Sequence, residues 1–78
     1  MAGSYAMRLS LIEEINIATI RSMLFKNDAT SKKAHKIIYM INGLTAMDAI
    51  NNPYRTTIIL INDYDEIMEA LKKEGIEI

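Results

Sequence analysis

The C-terminal third of the chain limits the fold more than any other part of the sequence. A run of β-branched and aliphatic residues at 56–61 is followed by a turn, an amphipathic segment at 65–74, Gly75, and a final apolar stretch at 76–78. β-branched residues are enriched in strands, and a strand, a helix and a second strand in this order form a right-handed βαβ crossover. The sequence therefore predicts parallel strands at residues 55–61 and 76–78, with a covering helix between them.

Helix signals precede this unit. Ser10 and Glu13 form a Ser-x-x-Glu capping box, in which each side chain satisfies the other residue's backbone N–H, so a helix is predicted over residues 11–26. The alternative for residues 15–20 is a strand, and a short strand is also predicted ahead of the helix at residues 5–9. The apolar stripe expected to face the core consists of Ile12, Ile15, Ile20, Met23 and Leu24.

Two more helices are predicted in the middle of the chain. The first has apolar residues at the i, i+3, i+4, i+7 spacing over residues 34–41, with Thr30 or Ser31 as its cap. Gly43 is expected to end this helix, as glycine does after a C-cap. The second is a short helix over residues 46–51, which ends before the single proline of the chain.

Together these elements predict one small α+β domain. Its architecture is an open-faced sandwich with a short N-terminal strand, two or three helices and the C-terminal βαβ unit. The 78 residues allow a single domain over residues 1–78, of which 1–4 are expected to be disordered or a cloning remnant. Half of the residues are hydrophobic, which in so small a chain indicates an apolar surface for self-association or for a partner.

The predicted order of elements resembles that of several known domains. The Gly-Leu corner at residues 43–44, Pro53, the run at 55–61 and the segment at 69–75 are similar to the C-terminal domain of the ribosomal stalk protein, and the ClpS adaptor shares a similar order. The final strand, helix and strand resemble the closing half of an ACT domain, which implies a small-ligand sensor. Residues 60–66 resemble the end of a Phd/YefM antitoxin, which implies a nucleic-acid-binding regulator. Each resemblance covers part of the chain, and none identifies a family.

Large apolar side chains outside the predicted core indicate a binding surface. Tyr39 and Met40 fall off the apolar face of the second helix, so they are expected to be exposed. With Tyr54 they form the predicted partner-binding set, because tyrosine and methionine offer large, adaptable contact area. The alternative is that these side chains cover a second side of a well-buried helix.

Basic residues cluster near the start of the second helix, at Lys32, Lys33, His35 and Lys36. One interpretation is an anion-binding site, because the free N–H groups of a helix N-terminus favour phosphate. The favoured interpretation is a solvated face, since so few positive charges make few phosphate contacts. A formal net charge of −1 also disfavours a general nucleic-acid binder.

Acidic residues crowd the start of the last predicted helix, at Asp63, Asp65 and Glu66. We interpret them as N-cap and first-turn residues rather than as ligands of a divalent cation. The sequence has no cysteine and one histidine, which excludes a thiolate site and a cluster of imidazoles. No metal site and no cofactor are therefore predicted.

No catalytic motif is present in the sequence, since its serines have no histidine at a recognised spacing. We predict a non-enzymatic regulatory or adaptor module that acts through protein contacts in the cytoplasm. The alternatives are an antitoxin-like regulator that uses the basic residues with Arg55, and an ACT-like sensor. A homodimer is also predicted, across the Tyr39/Met40 helix face or an open sheet edge. No membrane association is expected, because the longest apolar run is far short of the roughly 20 residues of a span.

Overall fold

The computed structural model describes residues 9–78, and the regular structure in that range is helical throughout. In chain order the helices are α1 (Leu11–Phe25), α2 (Ala29–Asn42), α3 (Ala46–Asn51), α4 (Pro53–Asn62) and α5 (Tyr64–Lys73). No strand is present between residues 9 and 78, so the predicted α+β sandwich is wrong. Of the strand predicted at residues 5–9, all but Leu9 lies outside the described residues, as do residues 1–4.

The main correction concerns α4, which replaces the strand predicted at residues 55–61. Pro53 occupies the first turn, where its fixed φ suits a helix and its missing N–H would be unpaired in any case. The Asn52 side chain caps that turn by accepting a hydrogen bond of 3.1 Å from the Arg55 N–H. The Thr57 hydroxyl donates to the Pro53 carbonyl at 2.9 Å, a bond that suits threonine in a helix. These local bonds outweigh a strand preference that depends strongly on context.

The second correction concerns residues 76–78, which form no strand. Gly75 adopts a left-handed φ of 79°, and the Ile76 N–H donates to the Leu71 carbonyl at 3.0 Å. The Gly75 N–H donates to the Lys72 carbonyl at 3.0 Å, which completes a Schellman motif at the end of α5. Ile76 is 6% exposed, so it serves as the apolar residue that follows such a motif and packs on the core.

The other predicted helices are confirmed, with small changes at their ends. Both bonds of the capping box of α1 are present: the Ser10 N–H donates to Glu13 at 2.9 Å, and the Glu13 N–H donates to Ser10 at 3.1 Å. α2 ends at Gly43, whose φ is 76°, but its cap is Asp28 rather than Thr30 or Ser31. The capping box of α1 and the glycine that follows α2 are therefore the end signals that the sequence reveals correctly here.

The core lies between α1, α2, α4 and α5. α2 packs against both α1 and α5, while α4 contacts α1, α3 and α5. The buried apolar residues of the four long helices are Ile17, Ile20, Met23 and Leu24 in α1, Ala34, Ile37 and Ile38 in α2, Leu60 in α4, and Ile67, Met68 and Leu71 in α5.

The predicted inner stripe of α1 is only half correct. Ile20, Met23 and Leu24 are buried as expected, but Ile12 and Ile15 are 70% and 54% exposed. Ile12 and Ile15 therefore point away from the core, and the outer side of the helix is left apolar.

Two polar contacts fix the positions of α1 and α5 relative to their neighbours. The Asn16 amide donates to the Tyr64 hydroxyl at 2.7 Å, which joins the second turn of α1 to the start of α5. The buried Ser31 hydroxyl donates to the Leu24 carbonyl at 3.1 Å, at the corner between α1 and α2. Because unpaired polar groups are costly inside a protein, these bonds restrict how the helices can shift.

Candidate protein-binding surface

Nine large hydrophobic side chains are exposed among the described residues, and they fall into two groups. One group belongs to α1 and consists of Leu11, Ile12, Ile15 and Phe25. The other comes from α2, α3 and α4, and we call it the Tyr/Met surface: Tyr39, Met40, Met47, Ile50 and Tyr54. Scattered exposed hydrophobics are normal, but a chain of this size rarely presents so many on consecutive helices.

The α2 part of the Tyr/Met surface was anticipated from helical spacing. Ile37 and Ile38 turn into the core, so the two residues that follow point outward. Tyr39 is 54% exposed and Met40 is 76% exposed. The expectation of exposure is thus confirmed, while the binding role of these residues remains a prediction.

The α3 and α4 part contains two residues that sequence reasoning did not assign to the surface. Tyr54, the third member of the predicted set, is 78% exposed in the first turn of α4. Met47 and Ile50 are 71% and 48% exposed on α3. The exposure of Met47 and Ile50 follows from the length of α3. The helix has six residues, which is fewer than two turns, and it buries one side chain, that of Ala49.

These five side chains come from adjacent parts of the molecule. α3 follows α2 after a short corner and contacts both α2 and α4. The Gly43 end of α2 allows the sharp turn, and the buried Leu44 fixes the corner to the core. The three helices therefore present large, flexible side chains toward solvent, and the charged residues nearest to them along the chain are Lys36, Asp48 and Arg55.

The basic residues do not form one site. Lys32, Lys33 and Lys36 are exposed, whereas His35 is half-buried and its Nε2 lies 3.0 Å from the Leu24 carbonyl oxygen. A carbonyl oxygen only accepts, so Nε2 carries a proton and donates to it. His35 therefore fastens α2 to α1 and is not directed at a ligand with the lysines.

The N-terminus of α2 is also occupied. The Asp28 carboxylate accepts a hydrogen bond of 2.8 Å from the Ser31 N–H, in the place where a bound anion would sit. Lys33 donates to the Glu74 carbonyl at 3.4 Å, so one of the three lysines leans toward the end of α5. The anion-binding interpretation gains no support from this geometry.

The acidic residues at the start of α5 have separate roles. Asp63 is the N-cap residue, but its side chain makes no capping bond, so its predicted capping role is wrong. Its Oδ2 instead accepts a bond of 3.3 Å from the Asn42 amide, which ties the end of α2 to the start of α5. Asp65 and Glu66 lie in the first turn, as predicted, where negative charge is favoured by the helix dipole. Within residues 9–78, no group of three or more acidic, histidine or cysteine side chains is arranged to hold a metal ion.

The helices were also compared with what a bilayer requires. Across residues 9–78, none of them combines the length and the apolar character needed to cross a membrane.

Comparison of the chain with protein-family models, with curated proteins and with solved structures finds no match. The resemblances to an ACT domain and to the ribosomal and ClpS domains also lose their structural basis, because the strands on which they depend are absent from residues 55–78.

Proposed function

We propose that this chain is a non-enzymatic interaction module that binds another protein through the Tyr/Met surface. The observation that carries the proposal is the exposure of Met40 and Tyr54, at 76% and 78%. Side chains of this size lose contact with water when a partner covers them, and removing apolar surface from water favours a complex.

The residue types support a protein partner over a small ligand. Tyrosine supplies a rigid aromatic ring with a hydroxyl that donates or accepts, and methionine adapts to an irregular surface. Such residues are enriched where protein interfaces are buried. The Tyr/Met surface comes from exposed helix side chains, whereas small-ligand sites are concave and enclose the ligand.

The two alternative functions have less support. A nucleic-acid-binding regulator would rely on Lys32, Lys33, Lys36 and Arg55, but the three lysines cover about one turn of α2 beside a helix end already occupied by Asp28. An ACT-like sensor requires a sheet, and residues 55–61 are helical. Neither alternative accounts for the exposed methionines and tyrosines.

Site-specific crosslinking tests the proposal. A photoreactive phenylalanine analogue is placed at Tyr54, and as a matched control at Glu69, which is exposed on α5. In the cells that produce the chain, the Tyr54 position is expected to crosslink to one defined protein and the Glu69 position is not. The partner is then purified and its affinity for the chain is measured by calorimetry.

Alanine variants decide the role of the surface. Met40→Ala and Tyr54→Ala are each expected to weaken binding of the purified partner by about 1–2 kcal/mol, or roughly 5- to 30-fold. Lys72→Ala, an exposed change on α5, should leave the affinity unaltered. Equal crosslinking from Tyr54 and Glu69, or affinities that do not change in the Met40 and Tyr54 variants, would contradict the proposal.

A further inference from the structure

The helix α1 is apolar on two opposite sides. Its inner side is buried in the core, through residues such as Ile17, Ile20 and Leu24. Its outer side carries a line of exposed residues at alternating four- and three-residue steps, which we call the outer seam: Leu11, Ile15, Ala18, Ser22 and Phe25. A helix that is apolar all round is normally buried.

The spacing of the outer seam matches a helix-to-helix interface. Steps of four and three residues form the heptad pattern that places side chains of one helix into the spaces of another. Ala18 and Ser22 are small, so a second helix can approach closely at the middle of the seam. Leu11, Ile15 and Phe25 are 71%, 54% and 48% exposed and supply large apolar contacts toward its ends.

Charges beside the seam favour one orientation of a second copy of the chain. Glu14 and Arg21 line the same shallow depression on one flank of the seam, together with Ala18. They are seven residues apart, about two helical turns, so they share a side of the helix. Their midpoint lies next to Ala18, which is also the middle of α1.

An antiparallel pairing makes these charges complementary. With a two-fold axis near Ala18, Glu14 of each subunit lies level with Arg21 of the partner subunit, and the contact is made twice. A parallel two-fold pairing would place the flanks that carry Glu14 and Arg21 on opposite sides of the interface, so the two charges would not meet. Arg21 is half-buried on this flank of the seam.

We propose that two copies of this chain form an antiparallel dimer through the outer seam of α1, with Glu14 beside Arg21 of the partner subunit. The seam exposes apolar side-chain area on the order of 400 Å², at the size that marks functional patches. An interface of this kind is at the small end for stable complexes, so a dissociation constant of about 10–100 μM is expected. The proposed dimer uses α1 rather than the Tyr39/Met40 face. It leaves the Tyr/Met surface free, so the dimer and the proposed function can be tested independently of each other.

Sedimentation equilibrium of the whole chain between about 5 and 500 μM measures the association, over a range set by the expected affinity. Ile15→Glu is expected to weaken the dimer at least about 10-fold, because it places a charge in the seam. Met40→Glu is the matched control, since it puts the same charge on another exposed apolar position. The proposal is overturned if the wild-type chain stays monomeric at the highest concentration. It is also overturned if Met40→Glu disrupts the dimer and Ile15→Glu does not.

Charge reversal tests the orientation. Glu14→Arg and Arg21→Glu are each expected to weaken association about 5-fold, and the double variant should recover to within about 3-fold of the wild type, as a direct pair requires. Glu69→Arg on α5 controls for net charge. If the double variant is no better than either single variant, the antiparallel pairing is wrong. Circular dichroism of each variant checks that α1 is retained.

A cysteine crosslink provides a measurement that does not depend on charge. The chain has no native cysteine, so Ala18→Cys introduces a single thiol at the proposed axis. Under mild oxidation it should form a disulfide-linked dimer, whereas Lys72→Cys on α5 should not. Residues 1–8 are the other candidate to cover the seam. If the full chain is monomeric and only a chain lacking residues 1–8 dimerises, the second copy is not the occupant and the proposal fails.

Discussion

The corner between α3 and α4 provides the sharpest test of the helical fold. The Ala49 carbonyl would normally accept a bond from the residue four positions later, but that residue is Pro53, which has no N–H. The buried Thr56 hydroxyl lies 3.0 Å from the Ala49 oxygen and 2.8 Å from the Asn52 oxygen, so it replaces the missing donor. Thr56 is 2% exposed and Ala49 is 3% exposed, so this hydrogen bond is shielded from solvent.

Replacing Thr56 with valine removes this donor and keeps the shape of the side chain. Leaving a buried carbonyl without a partner costs about 1–3 kcal/mol, and the added methyl group offsets part of that, so the free energy of unfolding should fall by about 1–2 kcal/mol. In a domain of this size the change corresponds to a Tm lower by about 5–10 °C. Thr57→Val is the matched control, because its hydroxyl bonds to an exposed carbonyl, and it should change stability by less than about 0.5 kcal/mol.

The measurement is urea and thermal unfolding followed by circular dichroism at one fixed protein concentration. Concentration is held constant because any dimer makes the Tm depend on it. If residues 55–61 formed a strand, valine would be tolerated or favoured at both positions, since its strand preference is high. A Thr56→Val variant as stable as the wild type, or a larger loss in Thr57→Val, would therefore refute the α3–α4 geometry.

Three further outcomes are expected. Ser10→Ala removes half of the capping box and should lower the free energy of unfolding by about 1 kcal/mol in urea titrations; no loss would show that the box is not formed in solution. Gly75→Ala should lower the free energy of unfolding by about 1 kcal/mol in the same assay. The cause is the φ of 79° alone, because no atom lies within 4 Å of an added Cβ. A stabilised variant would exclude the left-handed turn. On a polyanion column at moderate salt the chain should not be retained, and retention that Lys36→Glu abolishes would favour the nucleic-acid alternative.

The parts of the fold that sequence reasoning predicted correctly depend on contacts within a few residues. Ser10 and Glu13 satisfy each other's backbone groups, Gly43 ends α2, and the charged outer face of α5 leaves Ile67 and Leu71 for the core. In each case the residue type and its partner lie within one or two turns of the same segment. Such signals are readable because they do not depend on what packs against the helix.

The wrong predictions concern residues whose state is decided by their surroundings. Thr56 and Thr57 have a preference for strands, yet both hydroxyls donate to helical or corner carbonyls, and residues 9–78 contain no second strand to pair with them. Ile76 has the same preference but is used as the apolar residue of a Schellman motif. β-propensity mainly records packing on a sheet, so it misleads in a part of the chain that forms no sheet, as residues 9–78 do here.

The candidate binding residues were predictable only where a core face was already clear. Tyr39 and Met40 follow directly from the α2 stripe, because the residues beside Ile37 and Ile38 must point elsewhere. Met47 and Ile50 required knowledge that α3 is too short to bury them. The separation of His35 from the lysines required the position of the Leu24 carbonyl, which lies on a different helix.

The misassignment of Ile12 and Ile15 is itself informative about α1. Sequence reasoning placed them in the core because a helix with isoleucines on every side offers no clear inner face, and the structure chose Ile17 and Ile20 instead. An ordinary surface helix would carry charged residues at the two positions left outside. The core of the described residues does not use these two isoleucines, so they are available for a further contact, as proposed above for Ile15. Isoleucines on several sides of α1 made the core-facing side hard to predict from the sequence. The isoleucines on the outer side of α1 are also what indicates a second contact surface on that helix.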